Sequence, residues 1–216
     1  MQKSKIKVTN QNLIIFIAIF FVSLVGTVII TYIYAIKDKN MAPQNEIKEK
    51  SILMVVSPID FRDEEYFEPK AVLESAGIQV LTASIQGQTA KSTAGQEINL
   101  DLTVSDADAA RFDGVVFVGG TGMSQITGDE SLQVLAQKFN SAGKLTAAIC
   151  VAPEILAKGG LLAGKNATCW EGAKAELEKG GAVCQGNSVV ADGNIITGSG
   201  PEAAKEFGEK IVEFLK

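Results

Sequence analysis

The chain contains no histidine. No Cys-His pair can form within it, so the cysteine-hydrolase chemistry that relies on imidazole as general base is removed, a conventional peptidase first of all. There are three cysteines, at 150, 169 and 184. Their irregular spacing makes neither a disulfide framework nor a tetrahedral zinc set. No metal and no other cofactor is expected. Large basic blocks are also missing: the net charge is −5, and a nucleic-acid partner is not expected. Neither Gly-x-x-x-x-Gly-Lys-Ser/Thr nor a GxGxxG after a strand occurs, which speaks against a phosphate cradle.

Charge is absent altogether from one long run. Leu13 to Ile36 is uncharged and rich in Ile, Phe and Val. About 24 helical residues span roughly 36 Å, enough to cross a bilayer with some tilt. Tyr32 and Tyr34 stand near one end, where interfacial aromatics belong. A cleaved signal peptide would have an apolar core of only ~7–15 residues and a small-residue cleavage site; this run is longer and shows no convincing site. Lys3, Lys5 and Lys7 precede it, and Lys37, Lys39, Lys48 and Lys50 follow, so lysine count does not orient it. A short basic tail ahead of a single anchor usually stays inside, which leans toward an exported domain. The expectation is a single-pass cell-membrane protein: a basic tail at 1–12, a transmembrane anchor at 13–36 in contact with the lipid bilayer, a polar tether at 37–50, and one domain at 51–216.

Apolar runs at Ser51–Ser57, Ile78–Ser84, Gly114–Val118 and Leu145–Ile149 read as strands buried on both faces. Helical patterns lie between them, at Glu64–Ala76 before Gly77 and at Asp129–Ser141 before Gly143. Residues 86–102 are polar with spaced glycines and suit a small hairpin. Short strands at Ala167–Trp170, Ala182–Gln185 and Asn194–Gly198, with helices at Glu171–Lys179 and Pro201–Leu215, complete the pattern. Alternating strands and helices imply βαβ units and a mostly parallel sheet with helices on both faces. In such sheets sites form beyond the carboxyl ends of the strands. The segment after Ser57, Gly119-Gly120 and Cys150 all fall there.

The stretch Lys144-Leu-Thr-Ala-Ala-Ile-Cys150-Val-Ala-Pro153 carries the most chemistry. A buried strand runs into a cysteine, and a helix with proline in its first turn follows at once. This is the pattern of a nucleophile elbow with sulfur in place of the usual hydroxyl. The helix N-terminus is expected to favour the thiolate. Gly119-Gly120-Thr121-Gly122 reads as a tight turn over the thiol.

These residues together resemble the ThiJ/PfpI family, the superfamily of the Parkinson-disease deglycase, with its class I glutamine amidotransferase-like fold. Four segments carry the resemblance: Phe61-Arg-Asp-Glu-Glu65 with Pro69, Val116-Phe-Val-Gly119-Gly120, Ala147-Ala-Ile-Cys150 with Pro153, and Gly198-Ser-Gly200-Pro201. It implies a flavodoxin-like three-layer α/β/α sandwich. It also implies that Cys150 is the nucleophile, Glu65 its carboxyl partner (Glu64 if the register is shifted by one), and the backbone amides of Gly120 and Val151 the oxyanion donors. Gly119, Thr121 and Trp170 would line the pocket. Many members place histidine directly after the cysteine, where this chain has Val151; others bring it from a following strand, near Cys169-Trp170. Trp170 is then expected to fill that space and narrow access. Cys169 is either a resolving thiol or a packed core residue, and Cys169 and Cys184 are either a pair or two small buried thiols. The implied activity is glyoxalase- or deglycase-like, on small reactive carbonyls, through a Cys-Glu pair. A cysteine-based oxidative-stress sensor and a non-catalytic binding module remain alternatives. A homo-oligomer is implied by the resemblance alone.

Overall fold

The computed structural model describes residues 50–216. The basic tail, the anchor expected at 13–36 and the tether up to residue 49 lie outside the described residues. Among the described residues no helix is long and apolar enough to cross a membrane.

The first half runs β1 (Ser51–Val55), β2 (Ile59–Phe61), α1 (Asp63–Ser75), β3 (Gln79–Ser84), β4 (Thr89–Ser92), β5 (Glu97–Asn99), β6 (Leu102–Thr103) and β7 (Gly114–Phe117). The second runs α2 (Thr121–Ser124), α3 (Glu130–Ser141), β8 (Leu145–Ile149), α4 (Pro153–Lys158), β9 (Asn166–Ala167), α5 (Lys174–Lys179), β10 (Val183–Cys184), β11 (Val189–Asp192), β12 (Ile195–Gly198) and α6 (Ala204–Leu215). Seven strands form the main sheet in the order β11-β12-β8-β7-β1-β3-β6. All pair in parallel except β11, which runs antiparallel to β12 at the edge.

The strand period of two splits the core into two layers. Leu53, Val55, Val115, Phe117 and Ala148 face one way, onto Leu132, Leu135 and Phe139 of α3, Ile155 and Leu156 of α4, and Leu177 of α5. Ile52, Met54, Val116, Ala147 and Ile149 face the other way, onto Tyr66 and Leu73 of α1 and Phe207, Ile211 and Leu215 of α6. This is the expected three-layer sandwich with a mostly parallel sheet. Burial on both faces explains why its central strands read as unbroken apolar runs.

Helices α1 and α6 approach closely at one point. A Cβ added to Gly208 would stand 2.9 Å from Cα of Pro69, so only glycine lets α6 lie so near. Pro69 sits within α1. Lacking an N–H, it cannot donate to the carbonyl four residues back, which belongs to Glu65.

The hairpin expected in 86–102 is β4-β5, and it recruits β2 into a separate three-stranded sheet of order β2-β4-β5. The strand β2 was not anticipated, because three residues with exposed Ile59 and Asp60 carry no periodic signal. The edge strands β6 and β11 were also missed, being short and only half-buried. The strand expected at Ala167–Trp170 shrinks to Asn166–Ala167, because the chain turns there toward the site.

Candidate active site

Strand β8 is buried throughout and ends at Ile149. The next residue, Cys150, has φ 64, a left-handed conformation that costs a non-glycine residue on the order of 1–3 kcal/mol. Two backbone hydrogen bonds hold it there. The Cys150 N–H donates to the Gly198 carbonyl at 2.9 Å, and the Cys150 carbonyl accepts from the Trp170 N–H at 2.8 Å. The chain then turns directly into α4 with Pro153 at its start. The expected elbow is present.

Glu65 lies in the first turn of α1 and is fully buried. Its Oε2 accepts from the Gly119 N–H at 3.0 Å, and its carboxyl lies beside the Cys150 thiol, near enough that each acts on the other's titration. Its Oε1 has no hydrogen-bond partner among the described residues. The neighbouring Glu64 instead turns outward and pairs with Arg62 at 2.7 Å. The partner of the cysteine is therefore Glu65.

The glycine pair makes room for this contact. A Cβ on Gly119 would stand 2.5 Å from Glu65 Oε2 and 2.7 Å from Cys150 Cβ. Gly120 has φ 114, and a Cβ there would meet the Asp60 carbonyl and stand 2.6 Å from the Arg62 nitrogen. Any side chain at these positions would push the β2–α1 segment away from the thiol.

Burial pushes the Glu65 carboxyl up to about 7, with the Cys150 hydrogen bond and the Gly119 amide pulling the other way. Burial also pushes the Cys150 thiol up to about 12, and the charge and hydrogen bond of Glu65 add to the rise. The amides of Val151 and Gly120 lower it, and they are the two donors expected at the oxyanion position. The expectation that the helix N-terminus would favour the thiolate is corrected here. Helix α4 has only six residues, and desolvation with an adjacent carboxylate outweighs it. The rise has a built-in release: a protonated Glu65 carries no charge and can donate its hydrogen bond to a thiolate sulfur.

A cavity of about 310 Å³ opens over the thiol. Cys150, Glu65, Gly120, Val151, Thr121 and Trp170 line it, as do Arg62, Thr93, Ser124 and Pro201. Larger clefts near Pro58 and near Tyr66 carry no nucleophile. Trp170 does not plug the pocket: it is 54% exposed at the rim. Its ring lies against Gly172, where a Cβ would collide with it. Cys169 does not line the pocket. Its thiol is pushed up to about 12 by burial first and then by Cys184 and Glu171, which places it toward Cys184. Cys150, Cys169 and Cys184 are all free thiols. Among the described residues no group of acidic or cysteine side chains could hold a metal ion.

Arg62, Thr93, Ser124 and Pro201 were not anticipated as pocket residues. Arg62 stands three positions before the carboxyl partner and was within reach of sequence reasoning. Thr93 arrives from the β4–β5 hairpin, anchored by donating to Asp63 Oδ2 at 2.8 Å, and nothing local announces it.

The described domain has clear relatives. The model of the DJ-1/PfpI family matches residues 50–214. The crystal structure of a ThiJ/PfpI domain protein from Brachyspira murdochii is 38% identical, with a TM-score of 0.76, covering 78% of this chain and 97% of that one. A glutathione-independent glyoxalase of Caenorhabditis elegans is 32% identical over 168 residues, 78% of this chain and 90% of its own length. A deglycase of Pyrococcus abyssi is 29% identical over 164 residues, 76% of this chain and 99% of its own length.

Proposed function

Because the chain belongs to the DJ-1/PfpI family, we propose that it is a cysteine enzyme acting on small reactive carbonyls, with Cys150 and Glu65 as its working pair and no histidine. One observation carries this reading. A strained elbow thiol, a buried carboxyl beside it and two backbone amides converge on one cavity. Relatives named as glyoxalase and deglycase support the reaction class.

With methylglyoxal the sulfur of Cys150 adds to the aldehyde carbon. The S–H bond breaks as an S–C bond forms and the carbonyl π bond opens; Glu65 relays the thiol proton to the neighbouring ketone oxygen, and the amides of Gly120 and Val151 hold the resulting oxyanion. Glu65 takes the proton from the former aldehyde carbon and returns it to the adjacent carbon. Its elevated pKa suits both transfers near neutrality. The product at that stage is a thioester of Cys150, and water cleaves it to lactate and the free thiol. The test is lactate formation by the full chain, compared with Cys150→Ser. Lactate output that survives the substitution would sink the mechanism.

The raised thiol favours a second reading, a binding module that keeps the fold with a quiescent cysteine. The oxidative-stress reading is separated from both by dilute peroxide. Selective oxidation of Cys150 supports it; oxidation spread evenly over the three cysteines counts against it. The apolar run at 13–36 supports tethering to the cell membrane, the short basic tail before it leans toward an outward-facing domain, and family resemblance supports a homo-oligomer. Protease accessibility in intact cells tests the facing, and light scattering of the detergent-solubilised chain tests the assembly.

A further inference from the structure

One fixed positive charge lines the cavity. Arg62 is the single cationic side chain among the lining residues, and Glu65 the single acidic one. The backbone of Arg62 is pinned against the glycine pair, its N–H donating to the Gly119 carbonyl at 3.1 Å. Its side chain is 43% exposed. Glu64 engages Nε at 2.7 Å and Nη2 at 3.4 Å.

A guanidinium carries five N–H donors in a planar fork. Glu64 claims two, which leaves Nη1 and the second Nη2 hydrogen for a ligand. The pairing itself holds the side chain loosely, since half-exposed ion pairs contribute only about 0–1 kcal/mol. Two hydroxyls of the lining are already engaged. The Ser124 hydroxyl already donates to the Thr121 carbonyl at 2.6 Å, and the Thr93 hydroxyl to Asp63. The carboxyl of Glu65 is buried and turned toward Cys150 and Gly119. A small anion entering this cavity meets Arg62 as its one cation, with the two amides and the neutral donors of Thr121 and Trp170 beside it.

We propose that Arg62 makes this pocket selective for anionic carbonyl compounds, in which a carboxylate adjoins the reactive carbonyl, as in 2-oxo acids. The guanidinium receives the carboxylate while Cys150 adds to the carbonyl carbon. In that addition the S–H bond breaks and the S–C bond forms. The carbonyl π pair becomes an alkoxide, and the thiol proton reaches it through Glu65, giving a neutral hemithioacetal or hemithioketal. No oxidant or reductant is needed. This inference rests on the carbonyl reading above for its substrate, but its electrostatic core can be tested without turnover.

Iodoacetate and iodoacetamide form the same S–CH2 bond at a thiol and release the same iodide; they differ in bearing a carboxylate or a neutral amide. The measurement is the rate ratio of the two reagents at Cys150 in the full chain, divided by the ratio at Cys184 in the same molecules. The expected wild-type quotient is about ten times that of Arg62→Gln, the scale of a unit charge at short range through partly wet protein. Arg62→Lys should restore most of it. Glu64→Gln, which unmasks the guanidinium, should raise it above wild type. High salt should slow iodoacetate at Cys150 and leave iodoacetamide unaffected, a check that needs no variant. A quotient that Arg62→Gln leaves within twofold overturns the proposal. Protection of Cys150 from iodoacetamide by glyoxylate, and turnover of methylglyoxal, then separate the two readings. A flat quotient with methylglyoxal turnover removes the anion preference alone. An intact quotient with glyoxylate protection and no methylglyoxal consumed removes the enzyme and leaves an anion-selective thiol pocket.

Discussion

Two thiol neighbourhoods in this domain share one property and differ in everything else. Cys150 and Cys169 are both pushed up to about 12, and in both cases burial is the largest cause. Around Cys169 the remaining influences are the charges of Cys184, Glu171, Glu154 and Lys174. Around Cys150 they are close, directed groups: the Glu65 carboxyl and two backbone amides. Cys150 is also held at φ 64 over a cavity, whereas Cys169 lines none. A perturbed thiol is thus not itself a site. Convergence of donors, carboxyl and space makes one.

The comparison breaks most sharply at the sulfur. Cys150→Ser should lower carbonyl turnover at least about a thousandfold, because a serine hydroxyl is a far weaker nucleophile than sulfur and a carboxylate is too weak a base to ionise it. Cys169→Ser should stay within about threefold, both read as initial rates of lactate formation. Equal losses would erase the distinction.

Glu65→Gln comes next, with a turnover loss of about a hundredfold expected for a lost proton shuttle. The same substitution should accelerate iodoacetamide at Cys150 at pH 8, since a carboxylate charge that opposes the thiolate is gone. At Cys169 the alkylation rate should not move. A slower Cys150 would mean that the carboxyl activates the thiol instead of restraining it.

Stability should follow the same carboxyl. Folded Glu65 keeps its proton up to about pH 7, while the unfolded group releases it near 4.5. The folded state therefore binds more protons between those values. Its advantage is full below about pH 4.5 and is lost as pH rises through 7. The loss approaches about 3 kcal/mol by pH 8. Urea unfolding of wild type and Glu65→Gln at pH 5 and pH 8 checks this, with the pH dependence much flatter in the variant.

Gly119→Ala should cost about 1–3 kcal/mol by overpacking Glu65 against Cys150, seen as a lowered Tm. Gly143→Ala is the contrast: nothing stands within 4 Å of its added Cβ, and only its left-handed φ of 68 opposes it. The smallest effect belongs to Trp170→Ala. At the half-exposed rim it should change stability by under ~1 kcal/mol, and act on KM more than on kcat.

Much of this was legible beforehand, for local reasons. The strand–cysteine–proline order announced the elbow, and the paired glycines announced a close approach, because both are properties of a few consecutive residues. The choice between Glu64 and Glu65 was not legible. Adjacent residues on a helix point about 100° apart, and only the packing of α1 against β7 and β8 shows that Glu65 faces inward while Glu64 meets Arg62. The lining residues Thr93 and Pro201 were equally hidden, since they arrive from distant segments. Trp170 was expected as a plug and stands at the rim, because the chain after Ala167 leaves the sheet and lays the ring over Gly172.

By itself the sequence determined the alternation of buried strands and helices, the position of the elbow sulfur at a strand end, and the absence of any imidazole to serve it. Those follow from residue type and spacing along the chain. The tertiary structure alone decided that Glu65 is the partner, that Arg62 shares its cavity, and that the thiol is restrained in place of activated. Burial and charge proximity act through space, and the surroundings of Cys150 are built by segments as distant in the chain as those carrying Arg62 and Pro201, so their sum has no local signature.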